Sequence, residues 1–173
     1  MTVGANNWMP LAADRLNVTS TGIALGFQYC DQLMVMWSIM FDPTADVAFM
    51  RFNQDLIGTT TWSRTISVGA GSTTITNVST PSATALVLTG TATVNTTQQG
   101  VIFINNRETS TLERMSTFYT SHFGAYAAQT GSFGAGARVQ ANVPITGLSL
   151  GGQGNNAIRT GSAKLAVFGS NII

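Results

Sequence analysis

The chain has 173 residues, and the eight Lys and Arg and seven Asp and Glu together make only 9% of them charged, with a formal net charge of +1. Soluble domains carry roughly 25% charged residues, whereas 44% of this chain is hydrophobic. The length allows one domain with a substantial core, and the scattered basic residues exclude the charged footprint of a nucleic-acid-binding protein.

The composition of the polar residues suggests a protein that works inside an assembly. Thr (25) and Ser (14) fill most of the uncharged polar positions. Such a surface is wetted by water but has little electrostatic repulsion to keep copies apart. We therefore expect the chain to pack against copies of itself or against a larger particle.

Membrane insertion and secretion are not indicated. The longest apolar stretch, Leu33–Phe41, has nine residues, which is too short for a membrane helix. The N-terminus does not show a basic segment followed by an apolar one, so we expect no signal peptide. Cys30 is the single cysteine, which excludes an intrachain disulfide and suggests a buried, unreactive thiol.

The first 21 residues are expected to form an extended arm, and residues 22–173 a single β-sandwich domain. Asn6, Asn7 and Pro10 disfavour regular structure, while the apolar residues Trp8, Met9 and Leu11 offer an anchor. Two interpretations are open. The arm folds back on its own core, or Trp8, Met9 and Leu11 form assembly contacts with a neighbouring subunit.

The strongest strand signal is Leu33–Phe41, which is apolar at nearly every position. A strand of this kind is expected to be buried on both faces. One face would meet the core, and the other a second layer, the arm or another subunit. Asp42 and Pro43 end the run too early for a buried helix, and the Met residues nearby are expected to fill gaps in the core.

Further strands follow at intervals of 8–15 residues, separated by turns rich in Gly, Pro, Asn and Ser. A loop is expected at Gly131–Gly136, and the 109–120 segment is ambiguous but favours a strand. The pattern predicts an all-β fold, an antiparallel sandwich of jelly-roll type with about eight to ten strands. The remaining expected strands are Val47–Phe52, Trp62–Val68, Thr73–Val78, Ala83–Val94, Gly100–Ile104, Arg138–Leu150 and Ala163–Phe168.

Catalytic and cofactor signals are weak, and we expect no enzyme, no metal and no cofactor. One His and one Cys cannot supply a zinc site, and His122 is expected to be a structural hydrogen-bonding residue. Gly147–Gly151 matches the Gly-x-Ser-x-Gly pattern of a nucleophilic serine. That motif needs a helix directly after the serine and a histidine later in the chain, whereas turn residues follow Ser149 and His122 precedes it.

The Asp and Glu residues give no stronger signal for catalysis or metal binding. Asp42 with Asp46, and Asp55 with Glu108 or Glu113, have the residue types of a glycosidase pair, but salt bridges to Arg51, Arg107 or Arg114 are the favoured interpretation. Asp42 and Asp46 also bracket a turn, for which weak Ca²⁺ binding is a minor alternative.

Two parts of the chain resemble β-rich structural domains of tailed bacteriophages. In the first, a two-sided apolar strand precedes a Met-Arg-Phe-Asn-Gln-Asp segment, and in the second the chain closes on a Gly-Ser-Ala-Lys-Leu-Ala-Val-Phe-Gly segment. The resemblance implies a jelly-roll-like virion component without enzymatic activity. The matching ranges are Asp31–Trp37, Val47–Asp55, Ile145–Leu150 and Ile158–Gly169.

The leading expectation is a capsid decoration (cement) protein that forms a homo-oligomer, expected to be a trimer, and stabilises the phage head. Its partners would be copies of itself and the major capsid protein or other virion proteins, with no nucleic acid and no membrane. It would be made in the host cytoplasm and reside on the capsid surface. The alternatives are a tail-fibre or receptor-binding module that recognises host glycan, and a jelly-roll capsid subunit.

Overall fold

The computed structural model describes residues 8–53, 61–69, 75–82, 85–88, 95–107, 114–123, 130–138 and 143–171. Within these ranges the chain is all-β, and none of it forms a helix, so no membrane-spanning helix occurs there either. The predicted all-β class is confirmed.

The described ranges form twelve strands, more than the eight to ten expected. They are β1 (Met9–Arg15), β2 (Gly22–Gly26), β3 (Gln32–Ile39), β4 (Ala48–Phe52), β5 (Thr61–Gly69), β6 (Ile75–Ser82), β7 (Leu86–Val87), β8 (Thr97–Asn105), β9 (Arg114–Phe123), β10 (Thr130–Arg138), β11 (Gly147–Gly152) and β12 (Lys164–Ser170).

The strands form two antiparallel sheets. The large sheet has the order β1-β12-β3-β8-β9-β10-β5-β6, and the small sheet has the order β2-β11-β4-β7. When β5, β6, β9 and β10 are set aside, the remaining eight strands pair from the outside of the sequence inward: β1 with β12, β2 with β11, β3 with β8 and β4 with β7. The four strands set aside all extend one edge of the large sheet.

One hydrophobic core joins the two sheets. Leu33, Val35 and Leu165 of the large sheet and Met50 and Leu150 of the small sheet are almost fully buried in the same cluster. The buried residues alternate along each strand, because every second residue of a strand points to the same face. In β3 the buried residues are Leu33, Val35, Trp37 and Ile39.

Two differences from the sequence expectations have clear causes. Gly131–Gly136, expected as a loop, lies inside β10, which pairs along its length with β9 on one side and β5 on the other. Pairing on both sides outweighs the weak strand preference of Gly. Pro10 lies inside β1, where a β-bulge follows it. β1 is an edge strand of the sheet, a position that tolerates a residue without an N–H group.

The predicted N-terminal arm (1–21) is therefore attached to the large sheet over Met9–Arg15, since this segment pairs with β12.

Candidate functional site

The large sheet has an apolar surface on the side away from the core. Register places Phe168, Met34 and Phe103 in one row across β12, β3 and β8, and Ala166, Met36 and Val101 in the next row. These residues alternate with buried core residues, so they point outward. We call Trp8, Met34, Met36, Val101, Phe103 and Phe168 the outer apolar face.

This surface is open to solvent. Met36 is 47% exposed and Phe103 is 49% exposed. Ile102, which precedes Phe103 in β8 and pairs with Val35, is fully buried on the core side. Burial of β3 was expected on both faces. The core face is buried as expected, but the opposite face is covered only in part.

Part of that cover comes from the predicted arm. The Trp8 ring meets the Phe103 ring edge-on, with 6.3 Å between the ring centroids and 64° between the planes, a favourable aromatic geometry. Trp8 is still 37% exposed. It therefore lies over its own sheet and also contributes to the exposed surface.

The other two predicted assembly contacts lie elsewhere. Met9 begins β1 and is 51% exposed. Leu11 is half-buried and packs against the core; together with Cys30 it fills the space that a Cβ at Gly169 would need. The structure thus brings Trp8 to the outer apolar face but directs Leu11 inward, and the role of all three in assembly stays a prediction.

Polar residues border the outer apolar face at both ends of its strands. Arg15, Lys164, Ser38 and Gln99 occupy one row in register across β1, β12, β3 and β8. They line a shallow depression of about 670 Å³ together with Ala13, Asp14, Met36, Trp37, Leu165 and Ala166. At the opposite end, Gln32 pairs with Asn105. An apolar centre with a polar rim is the usual anatomy of a protein interface.

The backbone register extends these rows over the rest of the large sheet. The row of Met36 and Val101 continues through Tyr119, Phe133 and Ile66 on β9, β10 and β5. These positions are apolar or aromatic in the sequence. The row of Met34 and Phe103 continues in register through Thr117, Ala135 and Arg64, so that row includes a polar and a charged position.

The outer face of the small sheet has a different character. The pairing of β11 with β2 and β4 places Gly22, Gly151 and Phe49 in one row and Ala24, Ser149 and Arg51 in the next. The Arg51 guanidinium lies 4.5 Å from the centroid of the Phe49 ring, and Phe49 is only 5% exposed. This cation–π contact covers the ring, so Phe49 adds little exposed apolar surface among the described side chains of this face.

Ser149 lies in the middle of β11. A turn follows the strand at Gln153, and residues 153–163 form no helix. The strand–turn–helix geometry of a nucleophilic serine is thus not formed at this position. Asp55, Glu108 and Glu113 lie outside the described residues, as does the side chain of His122. In the ranges that the structure describes, no three Asp, Glu, His or Cys residues come together in a way that could hold a metal ion.

Asp46 holds the loop that follows β11. Its carboxylate, 6% exposed, accepts hydrogen bonds from the backbone N–H of Val47 (2.7 Å), Gly154 (3.0 Å) and Asn156 (3.2 Å). The Asn156 amide donates to the Ala45 carbonyl (3.2 Å) in return. The role is structural, and it gives no support to the Ca²⁺ interpretation of the Asp42–Asp46 turn.

Asn106 joins three chain segments at one end of the sandwich. Its amide nitrogen donates to the carbonyls of Cys30 (2.9 Å) and Ile145 (3.0 Å), and its amide oxygen accepts the Ile145 N–H (2.8 Å). Asn106 is fully buried. Sequence reasoning missed it because a single Asn after a strand is an ordinary loop signal.

The Cys30 thiol is buried, as expected, with 4% exposure. Burial raises the pKa of the thiol, and the charge of Asp31 raises it further. The reactive thiolate is therefore disfavoured in the folded protein.

Comparison with known proteins gives no relative: no protein-family model, no curated protein and no solved structure matches this chain.

Proposed function

We propose that this chain is a non-enzymatic structural protein of a virus particle, and more specifically a capsid decoration (cement) protein that self-associates on a phage head. The observation that carries the proposal is the outer apolar face, with Met36 and Phe103 about half exposed inside a polar rim. Monomeric soluble proteins rarely expose connected apolar surface of this kind without a partner.

The composition supports the same proposal. With 9% charged residues, the surface of the chain loses little hydration energy when it is covered. Apolar contact contributes about 25 cal/mol per Å². Modest contacts repeated over a shell would therefore add up to a large stabilisation, and each copy would tie neighbouring capsid subunits together.

The strand order supports a jelly-roll classification of the sandwich. Eight strands that pair first with last, second with second-to-last and so on describe one long hairpin rolled into two facing sheets. Jelly rolls are recurrent in virus particles. In this interpretation the β5–β6 and β9–β10 strands are additions to one edge of the large sheet.

The proposal is tested by mixing the purified chain with phage shells that lack it and collecting the shells by sedimentation. We expect the chain to sediment with bare shells until the sites are full. Shells that already carry the protein are the matched control, and they should take up none. No binding to bare shells would refute a decoration role.

Two further assays separate the alternatives. Binding of the free chain to host cells, abolished by competing host glycan, would favour a receptor-binding module. Assembly of the chain alone into closed particles would favour a capsid subunit.

A further inference from the structure

We propose that the outer face of the small sheet holds a binding site for a sugar residue that bears a carboxylate, and that Arg51 binds this carboxylate. The site goes beyond the decoration role and does not depend on it, since the outer apolar face belongs to the other sheet. Three features support the site: a buried donor without an acceptor, a cavity beside it and the polar groups that line this cavity.

Arg51 has a donor that no described residue satisfies. The residue lies on β4 and points away from the core, because its neighbours Met50 and Phe52 are buried in the core. Its Nε atom is buried, and it has no hydrogen-bond acceptor in the part of the chain that the structure describes. The ring of Phe49, 4.5 Å from the guanidinium carbon, fixes the position of this group. A buried charged donor without an acceptor is costly, and a bound anion removes that cost.

A cavity of about 270 Å³ lies beside Arg51 on this face. Its floor is low because β11 and β2 carry small residues there, with Ser149 opposite Ala24 and Gly151 opposite Gly22. The volume is slightly below the usual range of small-molecule sites, about 300–1,000 Å³. It therefore has room for one small ligand but not for an extended one.

The lining of the cavity supplies donors for a carboxylate and partners for hydroxyl groups. Ser149 lies directly opposite Arg51 in the register, and the Cβ atoms of two residues paired in this way are about 4.5–5.5 Å apart. A hydroxyl and a guanidinium at this spacing are able to donate to the same carboxylate. Thr21 and Asn155 add a further hydroxyl and an amide to the wall.

The charge of the cavity selects the ligand. Arg51 is the single charged residue among those that line it. One guanidinium balances one carboxylate, whereas a phosphate group carries a charge of about −1.5 to −2 at pH 7. An acidic side chain of a partner protein would reach Arg51 but would leave the hydroxyl and amide groups of the wall without partners. A single acidic sugar residue supplies both the carboxylate and the hydroxyl groups.

The test is a titration of the full chain with glucuronate, followed by the amide signals of β2 and β11 in NMR spectra. We expect saturable shifts centred on Ser149. Glucose, which has no carboxylate, and acetate, which has no hydroxyl groups, are the matched ligands. Each should bind at least about tenfold more weakly than glucuronate.

Two variants locate the site. Arg51→Gln removes the guanidinium and should raise the Kd for glucuronate at least about tenfold. Lys164→Gln is its matched control, because it removes an exposed cation from the large sheet and should leave binding unchanged. Ala24→Leu fills the cavity while Arg51 stays in place. Since Ala24 is exposed, this variant should keep its fold and lose binding, and thermal unfolding of each variant checks the fold.

Three results would overturn the site: no saturable binding of glucuronate by the wild type, binding of acetate or inorganic phosphate as tight as that of glucuronate, or binding that neither Arg51→Gln nor Ala24→Leu weakens. Equal binding of acetate would point to an acidic side chain of a partner protein instead. The proposed function fails separately. A chain that binds bare shells but not glucuronate refutes the sugar site alone, and a chain that binds glucuronate here but not shells refutes the decoration role alone.

Discussion

Asn106 shows how a single buried side chain fixes the end of the sandwich. It is fully buried, and its amide makes three hydrogen bonds with the backbone of Cys30 and Ile145. Replacement by a residue without an amide leaves buried backbone groups unpaired, and each such group costs about 1–3 kcal/mol.

Asn106→Ala is therefore expected to lower the free energy of unfolding by about 3 kcal/mol. Asn105→Ala is the control, because Asn105 is exposed and its Oδ1 accepts a hydrogen bond from the backbone N–H of Arg107; we expect a change within about 0.5 kcal/mol. Urea denaturation of both variants measures the difference. Equal stability of the two would show that the Asn106 hydrogen bonds do not hold this end together.

The buried Cys30 thiol predicts a dependence of stability on pH. Its pKa is raised in the folded protein from the ordinary value of 9.0, by burial first and by Asp31 second. Above pH 9.0 the unfolded chain loses this proton while the folded chain retains it, so the folded state is destabilised as pH rises. Below that pH both states keep the proton and the effect vanishes.

Cys30→Ala removes this contribution. We expect the stability of the wild type to fall more steeply than that of Cys30→Ala above pH 9.0, and the two to run parallel below it. Urea denaturation of both proteins at a series of pH values provides the test. Parallel curves through the whole alkaline range would contradict the assigned cause.

At the scale of elements, β11 and the loop after it depend on a close approach to Asp46. A Cβ at Gly152 would run into the Asp46 carboxylate and would lie 2.8 Å from the Phe41 ring. At Gly26, on the neighbouring strand β2, the nearest atom to a Cβ is the Thr146 carbonyl oxygen at 4.0 Å.

Gly152→Ala should thus destabilise the protein by about 1–3 kcal/mol through overpacking, and Gly26→Ala should have little effect. Thermal unfolding of the matched pair is the check. A Gly152→Ala variant as stable as Gly26→Ala would mean that the loop moves away from Asp46 at no cost.

The elements also show what sequence patterns are able to predict. The core face of β3 follows from alternation, since Leu33, Val35 and Trp37 are buried. The same pattern does not reveal what covers the other face, because an apolar residue looks the same whether it is buried or exposed. Gly131–Gly136, which lies inside β10, was predicted as a loop for a related reason: its Gly and Ala residues have no strand preference, and the pairing of β10 with β9 and β5 is set by distant segments.

At the scale of the whole molecule, the low charge of the chain is matched by exposed apolar side chains on the large sheet. A chain with few charges forms two antiparallel sheets around one core, and strands β12, β3 and β8 of the larger sheet present apolar rows on the side away from the core. The composition predicted a partner, but it could not locate the surface. That location depends on the register between strands β12, β3 and β8, which are far apart in the sequence.

The proposed function requires that this surface is covered within a symmetric particle. The most direct test is the number of copies per particle, measured by quantitative protein analysis of purified phage particles. A decoration protein is expected in hundreds of copies, in fixed proportion to the major capsid protein. Absence from the particles, or presence in a few dozen copies confined to the tail, would contradict the account.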